Sequence, residues 1–350
     1  MTSDPTPSDP RSWLVATPRG LYCVPGGFFV DPAGPVDRAV ITHGHGDHAR
    51  AGHRATMATR ETIAIMKVRF GAGKIGATDA VRYGEARRIG EVDVRLVPAG
   101  HILGSAQIVL DWRGARIVVS GDFKRRRDPT CPPFEPVPCD VFVTEATFGL
   151  PVFRHPPDQE EIARLLRSLA VFPDRCHMVG VYALGKCQRV IRLLREAGYD
   201  KRIWLHGSLI ALTDLYRDEG IAFGDIAHVD EAGPAPADDL FGRDIFKGAI
   251  VLCPPSAQTG HWSRRFPDPL PVAASGWMGV RARARQRGAG LPLTISDHAD
   301  WDELVATIRD VGAPKLWVTH GREDALVHQA RSMGVAAEAL HVAGRDEEGA

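Results

Sequence analysis

The sequence predicts an α/β protein of two domains. Three observations predict it: the chain has 350 residues, short strands dominate before residue 150, and helices alternate with strands after Pro151. At about 150 residues per domain, the length fits roughly two. The 44% hydrophobic and 25% charged content is that of a globular protein able to bury a core. That content excludes a disordered chain, a collagen-like fibre and a coiled coil, and no run approaches the roughly 18 consecutive apolar residues of a membrane helix.

In order along the chain, Leu21-Tyr22-Cys23, Phe28-Phe29-Val30 and Ala39-Val40-Ile41 read as short strands broken by Pro and Gly. Arg60 to Phe70 has helical spacing, with Ile63, Met66 and Phe70 on one side. Strands follow at Val92–Val97, Ala106–Trp112, Arg116–Ser120 and Val141–Val143, apolar almost throughout, as expected of strands covered on both faces. Beyond Pro151, Asp158-Gln159-Glu160-Glu161 opens a helix with carboxylates in its first turn and an apolar stripe of Ile162, Leu165, Leu166 and Leu169. Met178–Tyr182 reads as a strand, Lys186–Ala197 as a helix, and Arg202–Leu205 as another strand. Residues 231–238 form a loop, and strand character returns at Leu291–Ile295 and Lys315–Thr319 with the Trp301–Val311 helix between them. The expected boundaries are therefore 1–150 and 291–345 for two parts of one domain, 151–290 for an inserted α/β domain, and 346–350 for a tail.

The balance of 43 Lys+Arg against 43 Asp+Glu gives a formal net charge of zero. It excludes a protein that coats nucleic acid by bulk charge and leaves room for a local basic groove. Met1 to Pro7 lacks the basic start and apolar stretch of a signal peptide, so a cytoplasmic location is expected. Six scattered cysteines with no C-x-x-C spacing predict reduced thiols and no cysteine zinc site.

The strongest chemical signal is Thr42-His43-Gly44-His45-Gly46-Asp47-His48, directly after an apolar strand. In an extended segment His43 and His45 project the same way, and a turn into helix would present Asp47 and His48 beside them. Imidazole with carboxylate suits zinc or manganese, and Gly44 and Gly46 leave room for ligands from elsewhere. One ion cannot easily use four groups from so short a segment, so two ions are expected. The further candidates, His101, Asp122 and His320, each also follow a strand. A lone histidine there is more often structural; its repetition beside the His-rich segment is what marks these three.

His43-x-His45-x-Asp47-His48, His101, Asp122 and His320 resemble the ordered ligand motifs of the metallo-β-lactamase fold. Thr144-Glu145-Ala146-Thr147-Phe148-Gly149, Ser296-Asp297-His298-Ala299-Asp300 and Thr319-His320-Gly321 resemble the additional motifs of its β-CASP branch, the nucleic-acid nucleases that include Artemis and the pre-mRNA 3′-end endonuclease. Within that branch, Ala183–Arg189, Ser275–Met278 and Ser296–Trp301 are most similar to the bacterial ligase-associated DNA exonucleases. The resemblance spans roughly Leu21 to Val342.

It implies an αβ/βα sandwich with an inserted β-CASP cap, and a dinuclear-metal exonuclease acting on DNA, 5′ to 3′ by expectation, in repair linked to a DNA ligase and helicase. It implies that His43, His45 and His101 hold one divalent ion, that Asp47, His48 and His320 hold the other, and that Asp122 bridges both. Asp31 would support the site from behind the ligands, a place for which Asp37 is the weaker match. His298 would protonate the leaving oxygen and Glu145 would orient it. Lys124-Arg125-Arg126-Arg127, Lys186 with Arg189 at a helix start, and Arg281 are the candidate phosphate contacts. The alternatives are a ribonuclease of the same branch, since only contacts to the 2′-OH separate the two, and an inactive metal-binding scaffold.

Overall fold

The structure, a computed structural model, describes residues 6–232 and 244–341. It divides into one unit of Met1–Arg154 with His298–Ala350, and a second of His155–Asp297.

In the first unit α1 (Pro10–Trp13) leads into a six-stranded sheet in sequential order: β1 (Leu14–Thr17), β2 (Gly20–Cys23), β3 (Phe28–Val30), β4 (Arg38–Val40), β5 (Ala55–Thr59) and β6 (Ala77–Val81). β1 to β3 pair antiparallel and β3 to β6 parallel. After β5 the Thr59 hydroxyl accepts from the Thr62 N–H and starts α2 (Arg60–Phe70). Ile63 and Met66 of α2 bury with Ala39, Ile41 and Ala58. A second sheet begins with β7 (Ala86–Ile89), β8 (Val92–Pro98), β9 (Ala106–Trp112) and β10 (Ala115–Val119), all antiparallel neighbours, then β11 (Val141–Ala146), parallel to β10.

The second unit contains α3 (Asp158–Val171), β12 (His177–Gly180), α4 (Lys186–Glu196), β13 (Ile203–Leu205), α5 (Ile210–Asp218), β14 (Ile226–His228), β15 (Ile250–Cys253), β16 (Leu270–Ala274), α6 (Arg281–Gln286) and β17 (Leu291–Leu293). Its sheet is wholly parallel, in the order β14-β13-β15-β12-β16-β17. The first unit resumes with α7 (Trp301–Val311), β18 (Lys315–Gly321), α8 (Glu323–Ser332) and β19 (Ala336–Ala339). β18 pairs parallel with β11 and β19 with β18, completing a seven-stranded sheet.

Side chains of β10 and β11 alternate between two cores, as the period of two requires. Ile117, Val119, Val141 and Val143 bury with Leu21, Phe28, Val40 and Met57, so the two sheets of the first unit pack face to face. Val118 and Phe142 bury against Trp301, Leu304 and Ile308 of α7 and Leu326 and Ala330 of α8. With α2 on the other outer face, the layers run helix, sheet, sheet, helix: the αβ/βα sandwich that the family resemblance implies.

The division falls at 154/155 and 297/298, later than residues 150 and 290. Leu291–Leu293, expected in the sandwich, instead pairs with Val272–Ala274 as the edge strand of the second unit's sheet. Its apolar residues complete a parallel ladder that local sequence does not announce. The 346–350 tail and most of the 231–238 loop lie outside the described residues. Among the described residues no helix is long and apolar enough to cross a membrane, and no disulfide joins any of the six cysteines.

Candidate metal centre

The candidate ligands sit where strands of both sandwich sheets end. His43, His45, Asp47 and His48 follow β4, His101 follows β8, Asp122 follows β10, and His320 is the second-to-last residue of β18. Close backbone packing shapes these turns. An added Cβ on Gly44 would come within 2.5 Å of Ile65 Cγ2 of α2, and one on Gly121 (φ 57°) within 2.7 Å of Thr42 Cβ. Neither position has room for a side chain. The Ser105 hydroxyl accepts the N–H groups of His101 and Ile102 at 3.1 and 3.2 Å, which fixes the turn carrying His101.

His43, His45, His101 and Asp122 offer ligand atoms that all lie within 4.8 Å of one another, and so do His48, Asp122 and His320. Asp122 belongs to both groups. Its Oδ2 lies 3.4 Å from His43 Nε2 and 3.8 Å from His101 Nε2, while Oδ1 lies 3.3 Å from both His48 Nε2 and His320 Nε2. Asp47 Oδ2 lies 3.4 Å from His48 Nε2. Asp31, in the left-handed region at φ 43°, accepts from the Thr42 N–H at 2.8 Å and the Thr42 hydroxyl at 2.6 Å, and its Oδ2 lies 2.8 Å from His48 Nδ1. Asp37, by contrast, pairs with Arg54 at the surface.

The donor set fits divalent cations. Buried polar atoms are nearly always hydrogen-bonded, yet His43 Nε2, His48 Nε2, Asp47 Oδ1 and Asp122 Oδ1 are buried without a hydrogen-bond partner. Burial, then the neighbouring His48, holds His43 well below the usual imidazole range, so it is neutral and can ligate. Burial opposes charge on Asp122, but the charge on His48, helped by hydrogen bonds from His320 and His48, outweighs it and keeps the carboxylate ionised. Burial also opposes a proton on His48, while Asp122, Asp47 and Asp31 draw one there and lift it well above its usual range. An attraction for positive charge that three carboxylates create at His48 is one a metal ion would satisfy, displacing the proton.

Beside this cluster Glu145, at the end of β11, is buried and accepts from the Phe123 N–H at 2.7 Å and the Thr147 hydroxyl at 2.5 Å. His298 Nδ1 lies 2.9 Å from Glu145 Oε2, and the imidazole stacks 4.8 Å from that of His101. The chain is pinned just after His298, where the Ala299 N–H donates to Phe123 O at 2.7 Å and Asp300 caps α7. Nδ1 is thus the ring atom of His298 that faces Glu145.

The basic residues are placed differently from expectation. Lys124 is buried, Arg125 pairs with Asp310 at 2.6 Å, and Arg126 pairs with Asp300 of the α7 cap. Carboxylates on and before α7 therefore engage Arg125 and Arg126 of the run read as a phosphate contact. Lys186 and Arg189 are also buried, in ion pairs with Asp297 and Asp158. Arg281 is exposed at the start of α6, while Arg283 lies 4.0 Å over the Trp277 ring. Three hydroxyls that sequence spacing does not mark, those of Thr42, Ser105 and Thr147, hold the ligand turns and Glu145.

No family model matches the chain. It is 30% identical over 341 residues, 94% of its length, to a probable DNA ligase from Opitutus terrae, of which it spans 31%. It is 23% identical over 381 residues to ribonuclease TTHA0252 from Thermus thermophilus, a match covering 86% of this chain and 84% of that one. Over 123 residues, 34% of this chain and 14% of the relative, it is 30% identical to endoribonuclease ysh1 from Aspergillus fumigatus. The chain thus spans about a third or less of the length of the first and third of these relatives.

Proposed function

Because this chain belongs to the β-CASP branch of the metallo-β-lactamase fold, we propose that it is a dinuclear-metal exonuclease that hydrolyses phosphodiester bonds in DNA. The observation that carries this reading is Asp122, one carboxylate presenting one oxygen to each of two histidine groups. His43, His45 and His101 would hold one divalent ion, Asp47, His48 and His320 the other, and Asp122 both. Two such ions, zinc or manganese, would supply an activated water and a counter-charge for the phosphodiester oxygens.

The rest of the chemistry falls to side chains. Glu145, held by Phe123 N–H and Thr147, orients His298 through Nδ1. Nε2 then carries the proton delivered to the departing sugar oxygen. Arg281, exposed on α6, and Arg127, exposed at the end of the basic run, are the remaining candidates for a phosphate contact.

DNA is the favoured substrate because similarity to a probable DNA ligase runs through 94% of this chain. The same similarity supports a role beside DNA ligation; repair, a cytoplasmic location and 5′ to 3′ polarity are further parts of the proposal. A ribonuclease is the second reading, favoured by the match spanning 84% of ribonuclease TTHA0252. The deciding experiment incubates the Mn²⁺- or Zn²⁺-loaded protein with single-stranded DNA labelled at either end and with matched RNA. The DNA reading expects faster release from DNA, starting at the 5′ end. Faster RNA cleavage would establish the second reading, and wild type as inert as D122A on every substrate would establish a scaffold.

A further inference from the structure

Residues 294–297 run from the end of β17 to His298 without regular secondary structure. Their polar groups are taken by charged side chains of α3 and α4. The Thr294 N–H donates to Glu161 Oε2 at 2.6 Å. The Lys186 ammonium donates to Ile295 O at 2.7 Å and lies 3.0 Å from Asp297 Oδ2. The Arg189 guanidinium donates to Ser296 O at 2.6 Å, pairs with Asp158, and lies 3.7 Å from Asp297 Oδ1. Arg189 is 0% exposed and Lys186 4%.

This is a costly way to hold four residues. Taking an ion out of water costs several kcal/mol even when it is paired, and apolar packing of equal volume usually holds a segment at least as well. Burial pushes the Lys186 ammonium below its usual range, against the pull of Asp297. Where such groups persist, their best-attested use is to select one arrangement over its neighbours. Here the selected arrangement is that of a segment whose next residue is His298. An exposed phosphate contact, the role their position at a helix start suggests, is not open to two buried, paired cations.

We propose that Lys186 and Arg189 are positioning residues for His298. They grip the carbonyls of Ile295 and Ser296 and the carboxylate of Asp297, and so hold the segment that ends one peptide bond before His298. The inference rests on the reading of His298 as the proton donor to the leaving oxygen.

The test compares two substrates of the metal-loaded protein under single turnover: a single-stranded oligodeoxynucleotide, whose sugar oxygen needs a proton to depart, and the p-nitrophenyl ester of thymidine 5′-monophosphate, whose phenolate departs without one. K186M and R189M should keep both metals and lose about 10²-fold on the oligonucleotide, the scale of a misplaced catalytic group. They should lose little on the ester, and neither should slow the oligonucleotide further in an H298A background. If K186M does not fold, K186Q, which keeps an N–H donor towards Ile295, is read by the same ratio. Equal losses on both substrates, additive loss with H298A, or unchanged oligonucleotide turnover would each overturn the positioning role. The parent reading fails separately: H298A alone would then be fully active on the oligonucleotide, or equally impaired on both substrates.

Discussion

His298 Nδ1 lies 2.9 Å from Glu145 Oε2, although 153 positions of sequence separate the two residues. The pair sits against the candidate ligands, with the imidazoles of His298 and His101 4.8 Å apart; His298 forms a third close group with Asp122 and Glu145, outside the two His-rich ones. H298A is therefore expected to keep both metals and to lose about 10²–10⁴-fold in turnover, the range of general acid catalysis. Metal analysis alongside the rate checks this. Loss of metal would mean that His298 is a ligand.

Thr147 donates to the same carboxylate oxygen at 2.5 Å. A hydrogen bond to a charged group contributes roughly 1.5–3 kcal/mol, so T147V should lower turnover about ten-fold or more by loosening Glu145. T147S, which keeps the hydroxyl, should recover most of it. Equal rates for T147V and T147S would remove Thr147 from the account.

Asp31 gathers three contacts behind His48 from a backbone position, φ 43°, that Asn tolerates well. D31N should leave the fold intact and weaken metal binding about 10–100-fold, as loss of a partner behind a ligand does. Competition with a chromophoric chelator measures it, and wild-type affinity would show that Asp31 serves only the backbone.

His53 accepts the Val36 N–H at Nδ1, and burial lowers its pKa below the usual value of 6.5 against the pull of Asp31. Between its lowered pKa and 6.5 the unfolded chain binds a proton that the folded chain does not. Its contribution is whole above that window and is lost as pH falls through it. The urea midpoint should drop on acidification, and drop less steeply in H53Q. Identical slopes would assign the acid sensitivity elsewhere.

Much of the site was legible because its signals are local. Three histidines and an aspartate fall within six residues, and the other ligands each follow an apolar run that does form a strand. What escaped is what depends on partners far away in sequence. Arg126 looks like a free cation until α7 supplies Asp300, 174 positions on, and Lys186 until Asp297 arrives. Leu291–Leu293 looks like a sandwich strand until β16 is there to pair with it. The exposed edge strands β6 and β7 carry little apolar alternation for a period-based reading to find. Hydroxyls such as Thr42 and Ser105 have no spacing that separates a support from an ordinary turn residue.

Asp122 is proposed to join two metal sites that act together. Titration of metal-stripped protein with Mn²⁺, followed by both calorimetry and hydrolysis of a labelled single-stranded oligodeoxynucleotide, tests it most directly. Wild type should bind two equivalents with activity rising with the second, and D122A should show neither binding nor activity at the same concentrations. Full activity at one equivalent, or D122A that still binds two ions and cleaves, would contradict it.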